Sequence, residues 1–191
     1  IMGKRVFLIV LDSFGIGEAP DAIKYHDEGS NTFRSCYNTG LLNIPNLKKL
    51  GLFNIDGVNF GEKEKKPIGS IARLQELSAS KDTTAGHWEM AGLITDIPFP
   101  TYKNGFPEEI IKQIEELSHR KVVCNKPYSG TEVIKDYYED AMKGNLIVYT
   151  SADSVLQIAV HTDVIKLDEL YDICKKVRKI MTGEHCVGRI I

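Results

Sequence analysis

Lys4-Arg5-Val6-Phe7-Leu8-Ile9-Val10-Leu11-Asp12-Ser13-Phe14-Gly15-Ile16-Gly17 is the stretch whose reading decides the fold. Its continuous apolar, β-branched run followed by an acidic, glycine-bearing turn predicts a central parallel strand that ends in a functional loop. Loops at the carboxyl ends of parallel strands are where α/β proteins place ligands. The run is too short to span a bilayer, ends in Asp12 and is followed by no small-residue cleavage site, so a buried strand is expected rather than a membrane segment or a secretory signal. Gly15 and Gly17 have no third glycine behind them, since Glu18, Ala19 and Pro20 follow, which argues against a dinucleotide fingerprint.

Outward from this strand the pattern alternates. Pro45 to Leu52 predicts a short helix with a glycine stop at Gly51. Ile71 to Leu77 fits strand or helix, and strand is preferred because it leads into a polar loop. The Pro-rich passage Ile97-Pro98-Phe99-Pro100-Thr101-Tyr102 predicts a hinge or boundary. Beyond it, Pro107 to Leu117 is an amphipathic helix with proline and acidic residues at its start, where the helix dipole favours them. Lys121 to Cys124 and Leu146 to Thr150 read as strands, and Thr131 to Met142 and Leu167 to Met181 as helices. Val187 to Ile191 is strand-like, an ending that reads as cut rather than finished.

With 191 residues, 42% hydrophobic and 26% charged, the chain can bury a real core. A formal net charge of -2 with scattered cations leaves no electrostatic footprint for nucleic acid or an anionic membrane. The four cysteines, Cys36, Cys124, Cys174 and Cys186, form no C-x-x-C pair. They are expected as free thiols in a reducing, cytoplasmic setting.

Asp12, at a strand end, is a hard oxygen donor suited to a divalent metal, or else a loop cap. Lys81-Asp82-Thr83-Thr84-Ala85-Gly86-His87-Trp88-Glu89 gathers hydroxyl, carboxylate, imidazole and lysine into nine residues. A threonine hydroxyl needs a base or a metal to act as a nucleophile, and metal activation is the simpler hypothesis here. The alternative is a turn in which Asp82 and Thr83 cap a helix. His87 is expected to be structural, and the remaining histidines show no metal-binding spacing. Ser151 and Asp153, after the strand ending at Thr150, suit sugar hydroxyls or cap a helix beginning near Val155, and pattern alone favours the cap. Arg189, alone in an apolar strand, calls for a carboxylate or phosphate partner.

Taken in order, Val10 to Asp21, Lys81 to Glu89, Asn125-Lys126-Pro127-Tyr128-Ser129-Gly130-Thr131-Glu132, Tyr149 to Gln157 and Val187-Gly188-Arg189 resemble the phosphopentomutase family of the alkaline phosphatase superfamily. The resemblance implies an α/β fold: residues 1–98 as the N-terminal part of an alkaline-phosphatase-like core with a mostly parallel sheet, and 99–191 as an inserted α/β cap domain, incomplete at its C-terminal end. It implies that Asp12 binds one of two manganese ions and that Thr83 is the metal-bridging hydroxyl that carries the phosphoryl group. Thr84, at a variable position of that family, is not expected to act. Ser151, Asp153, Val155, Arg189 and Ile191 match cap positions that face the sugar phosphate.

The family's chains are longer, and their remaining metal ligands lie in a segment outside this sequence. The 191 residues alone are therefore expected to be inactive. The implied reaction interconverts ribose 1-phosphate, or its 2-deoxy counterpart, with the 5-phosphate through a phosphothreonine and a sugar bisphosphate, which also serves as activator. Pentose phosphates are the expected partners. A phosphatase or phosphodiesterase on the same core, and a non-catalytic sugar-phosphate-binding protein, are the rival readings.

Overall fold

The structure, a computed structural model, describes residues 4–191, and it divides into two compact units, Ile1–Gln75 and Glu76–Ile191. In the first unit, helix α1 (Thr32–Asn38) is capped by Asn31, whose side chain accepts from the Arg34 N–H. Helix α2 (Pro45–Leu50) starts on proline and stops at Gly51, whose left-handed φ of +107° suits a residue without a Cβ. The core of this unit is aromatic: Phe33 is fully buried, with the rings of Phe14, Phe53 and Phe60 centred 5.0 to 5.4 Å from its own. Arg73 clips the glycine loop in place by donating to the carbonyls of Ile16 (2.7 Å) and Asp56 (2.9 Å).

The strand expected over residues 4–11 is not formed. Among the described residues this segment pairs with no other strand, and Val6 and Ile9 are 92% and 81% exposed. Ile71 to Leu77 is likewise without regular structure, with Leu74 90% exposed. A strand needs a neighbour for its backbone N–H and C=O groups and a packed layer for its side chains; apolar composition supplies neither by itself.

The second unit contains helix α3 (Thr83–Met90), helix α4 (Glu108–Ser118), strand β1 (Val122–Pro127), helices α5 (Gly130–Asp136) and α6 (Tyr138–Met142), strands β2 (Leu146–Thr150) and β3 (Val155–Ala159), helix α7 (Leu167–Ile180) and strand β4 (Arg189–Ile190). The four strands form one sheet in the order β1-β2-β3-β4. β1 and β2 are parallel, as are β3 and β4, whereas β2 and β3 run antiparallel. The chain is thus an α/β protein with a mostly parallel sheet. The single helix expected over 131–142 is broken between Asp136 and Tyr138.

Alternation along β2 shows how the sheet is covered. Leu146 and Val148 enter a core with Ile110 and Ile114 of α4 and Ile173 and Val177 of α7. Ile147, between them, points the other way and packs with Val133 and Ala141 of α5 and α6. Residues 155–159 form a strand, so the helix-capping reading of Ser151 and Asp153 is overturned: the two residues sit in the tight connection that turns β2 back as β3. The reversal is locked by Thr150 Oγ1, buried, donating to the Val155 carbonyl at 2.7 Å.

Candidate functional site

Helix α3 begins where Asp82, in an extended conformation, turns the chain and offers its Oδ1 to the N–H groups of Thr84 (2.8 Å) and Ala85 (3.4 Å). Helix capping by Asp82 is therefore real. It also serves a purpose, because it sets Thr83 as the first helical residue, exposed at the positive end of the helix dipole.

Thr83, Thr84, His87 and Trp88 line a cavity of about 320 Å³ whose other walls are Gly188 and Arg189 at the start of β4. The His87 ring places Nδ1 2.7 Å from the Thr83 carbonyl, where the nitrogen donates, and Trp88 packs edge-on against Phe99 at 5.5 Å. Arg189 Nη2 lies 3.6 Å from Asp153 Oδ2, an ion pair that answers the expectation of a carboxylate partner. A side chain at Gly188 would press its Cβ to within 3.2 Å of the Ser154 carbonyl and 3.4 Å of Thr84 Cβ, so glycine permits this close approach.

Among the described residues, two buried polar atoms here lack a hydrogen-bond partner, Thr84 Oγ1 and Arg189 Nε, and both residues line the cavity. Orphaned buried polar groups are costly and rare in folded proteins, which sets this corner of the second unit apart.

The predicted site residues separate into groups. Thr83 and Arg189 line the cavity, and Asp153 pairs with Arg189. Ser151 is half-buried, its Oγ accepting from the Asp153 N–H at 3.3 Å, and so shapes the same turn. Val155 is buried in β3, paired with Arg189 in the ladder. Ile191 extends β4, donating to Leu156 and accepting from Ile158, with its side chain exposed. Asp12 lies in the first unit, exposed, where it accepts from the Ser13 hydroxyl at 3.3 Å. Among the described residues no three His, Cys, Asp or Glu side chains form a group able to hold a metal ion, so these residues by themselves do not fit a complete two-cation centre. Sequence reasoning missed Gly188 and Ser154 and set Thr84 aside. A glycine directly before the isolated Arg189 was the available signal for the first; the other two declare themselves only through contacts distant in sequence.

An α/β protein with a hydroxyl at a helix N-terminus facing a guanidinium across a small cavity has the equipment of a phosphate-handling enzyme. No family model matches the chain. It is 56% identical over 190 residues to a phosphopentomutase of Acetivibrio thermocellus, 53% identical to one of Lachnoclostridium phytofermentans and 55% identical to one of Clostridium novyi. The matches cover 98% to 100% of this chain and 49% of each relative, so the chain spans about half the length of the curated relatives it matches. Over essentially its whole length the chain is thus homologous to phosphopentomutases, and the name its relatives share is that of an isomerase, an intramolecular phosphotransferase.

Proposed function

We propose that the full-length protein is a phosphopentomutase that interconverts ribose 1-phosphate, or 2-deoxyribose 1-phosphate, and the corresponding 5-phosphate. The observation that carries this reading is that Thr83 and Arg189, the latter ion-paired with Asp153, line one cavity in a chain more than half identical to named phosphopentomutases. Residues 1–98 would belong to an alkaline-phosphatase-like core and 99–191 to its cap.

In this reading Thr83 Oγ1 carries the phosphoryl group. Arg189 grips the phosphate of the incoming sugar phosphate, and Asp153 holds the guanidinium in place and faces the sugar hydroxyls, with Ser151, Val155 and Ile191 shaping the sugar's bed. The free sugar hydroxyl attacks phosphorus, the bond to Thr83 Oγ1 breaks, and in the net exchange the hydroxyl proton ends on that threonine oxygen. The bisphosphate then turns and returns its other phosphoryl group to Thr83 by the reverse exchange. Little covalent chemistry is asked of the protein, so positioning and charge complementarity carry the acceleration. The cap would keep water from the phosphothreonine, which separates a mutase from a phosphatase. Two divalent cations, Mn2+ by resemblance, would draw on Asp12 and Thr83 together with ligands outside these 191 residues. A sugar bisphosphate would prime the enzyme, and the setting would be the cytoplasm. Among the described residues no helix is long and apolar enough to cross a membrane.

The test is conversion of ribose 1-phosphate by the full-length protein with Mn2+ and a bisphosphate primer, following ribose 5-phosphate and free phosphate together, beside Thr83→Ala. Isomerisation lost in the variant supports the reading. Phosphate release alone would make the protein a phosphatase, and pentose phosphate binding without turnover would make it a binder.

A further inference from the structure

Asp82 uses its two carboxylate oxygens on two different elements. Oδ1 caps α3 through the N–H groups of Thr84 and Ala85, while Oδ2 accepts from the Ser154 N–H at 2.8 Å, 72 residues further along the chain. Ser154 is 1% exposed and fully engaged: its hydroxyl donates to the Pro100 carbonyl (2.5 Å) and accepts from the Gly188 N–H (3.3 Å), and its carbonyl accepts from the Arg189 N–H (3.3 Å). Asp82 is covalently next to Thr83, and Ser154 is covalently next to Asp153 and bonded to Arg189. One carboxylate therefore links the helix that presents the hydroxyl to the turn and strand that present the ion pair.

We propose that Asp82 is a positioning residue for phosphoryl transfer: through the Oδ2 to Ser154 bond it holds Thr83 in register with the Arg189–Asp153 pair. This rests on the phosphopentomutase reading. The physical argument is that transfer needs the two reacting oxygens in near-attack geometry, and a misplacement of about 1 Å costs on the order of 100-fold in rate. Without the bridge, α3 would keep its cap and its fold but lose its registration against β4. The two roles are separable by chemistry. Serine is about as good an N-cap as aspartate, yet its single short hydroxyl cannot serve both elements. Asparagine keeps a capping oxygen but turns an N–H2 donor towards the Ser154 N–H donor, which breaks the bridge.

The experiment compares wild type, Asp82→Ser and Asp82→Asn of the full-length protein with ribose 1-phosphate, Mn2+ and a bisphosphate primer, measuring kcat, KM and thermal midpoint. Both variants are expected to lose on the order of 100-fold in kcat, with KM within about threefold and the melting temperature within a few degrees of wild type. Wild-type kcat in the serine variant would overturn the proposal, as would a rise in KM alone. A fall in kcat accompanied by a collapse in melting temperature in both variants would reduce Asp82 to a structural cap and also overturn it. Each of these leaves the mutase reading intact. An inactive wild type, by contrast, refutes that reading and this proposal with it.

Discussion

Replacing Thr84 by valine should make the protein more stable. Thr84 is only 7% exposed, and its Oγ1 meets no hydrogen-bond partner among the described residues. A buried hydroxyl in that state carries a desolvation penalty of about 1–3 kcal/mol, which an isosteric methyl removes. Against this stands the slightly larger methyl, which must fit beside Gly188; that neighbour has no Cβ, so the crowding is set at the low end of the roughly 1–3 kcal/mol that overpacking costs. Threonine and valine have similar helix propensities, so no backbone effect intervenes. The balance is a gain of about 1 kcal/mol, or roughly 2–4 °C in Tm for a domain of this size. Urea unfolding followed by circular dichroism, with Thr84→Ser as a control that keeps the hydroxyl, measures it. Destabilisation by more than about 1 kcal/mol in the valine variant would show that the hydroxyl has a structural partner, and the reasoning from an orphaned donor at the cavity would fall.

Three further outcomes follow from the geometry. Tyr128 donates to Asp136 at 2.6 Å, and that hydrogen bond, with burial second, pushes its hydroxyl up to about 12. The folded state thus holds this proton more tightly than the unfolded one, so its contribution is complete below about pH 10 and is lost as pH rises towards about 12; an ultraviolet tyrosinate titration of Asp136→Asn should show Tyr128 ionising earlier. Glu89 is held below the usual carboxylate range, chiefly by the Ser78 side chain and the Leu77 backbone N–H, so its contribution is present above the ordinary glutamate range and disappears as pH falls through its lowered value; Glu89→Gln should flatten the acid limb of stability measured by unfolding at graded pH. Gly105→Ala should cost about 2 kcal/mol or more, because φ is +86° and the new Cβ would sit 2.1 Å from the Asn125 carbonyl oxygen; a midpoint in urea equal to wild type would contradict the described turn.

What sequence reading captured was what period and punctuation encode. The Gly51 stop, α4 with its acidic first turn, α7 and the strands β1 and β2 stand where their patterns place them, because each depends on a local rule. Val6 to Leu11 failed for the opposite reason: an apolar run reports a need for cover, while strand formation depends on a partner that no local rule names. Val155 to Ile158 was misjudged because four residues, three of them apolar around Gln157, are too few to separate the two periods. Arg189 could be singled out as a charge in an apolar setting, and the structure supplies its partner Asp153. Ser154 could not, since nothing in Ala152-Asp153-Ser154-Val155 distinguishes a serine that binds Asp82 and Gly188 from one facing water.

The antiparallel turn between β2 and β3 has a consequence in time as well as in space. Because β4 runs parallel to β3, it must cross back over α7 to enter the sheet beside that turn, and the cavity is walled by residues from α3 and from β4, near the two ends of the second unit. Contacts of such sequence separation close late, since their loop entropy has to be met after the local helices and the β2–β3 hairpin are in place. On a ribosome, Thr83 would emerge long before the guanidinium that faces it. The cavity would thus take shape only when β4 docks beside β3, and its closure would serve as a clock for the assembly of this sheet.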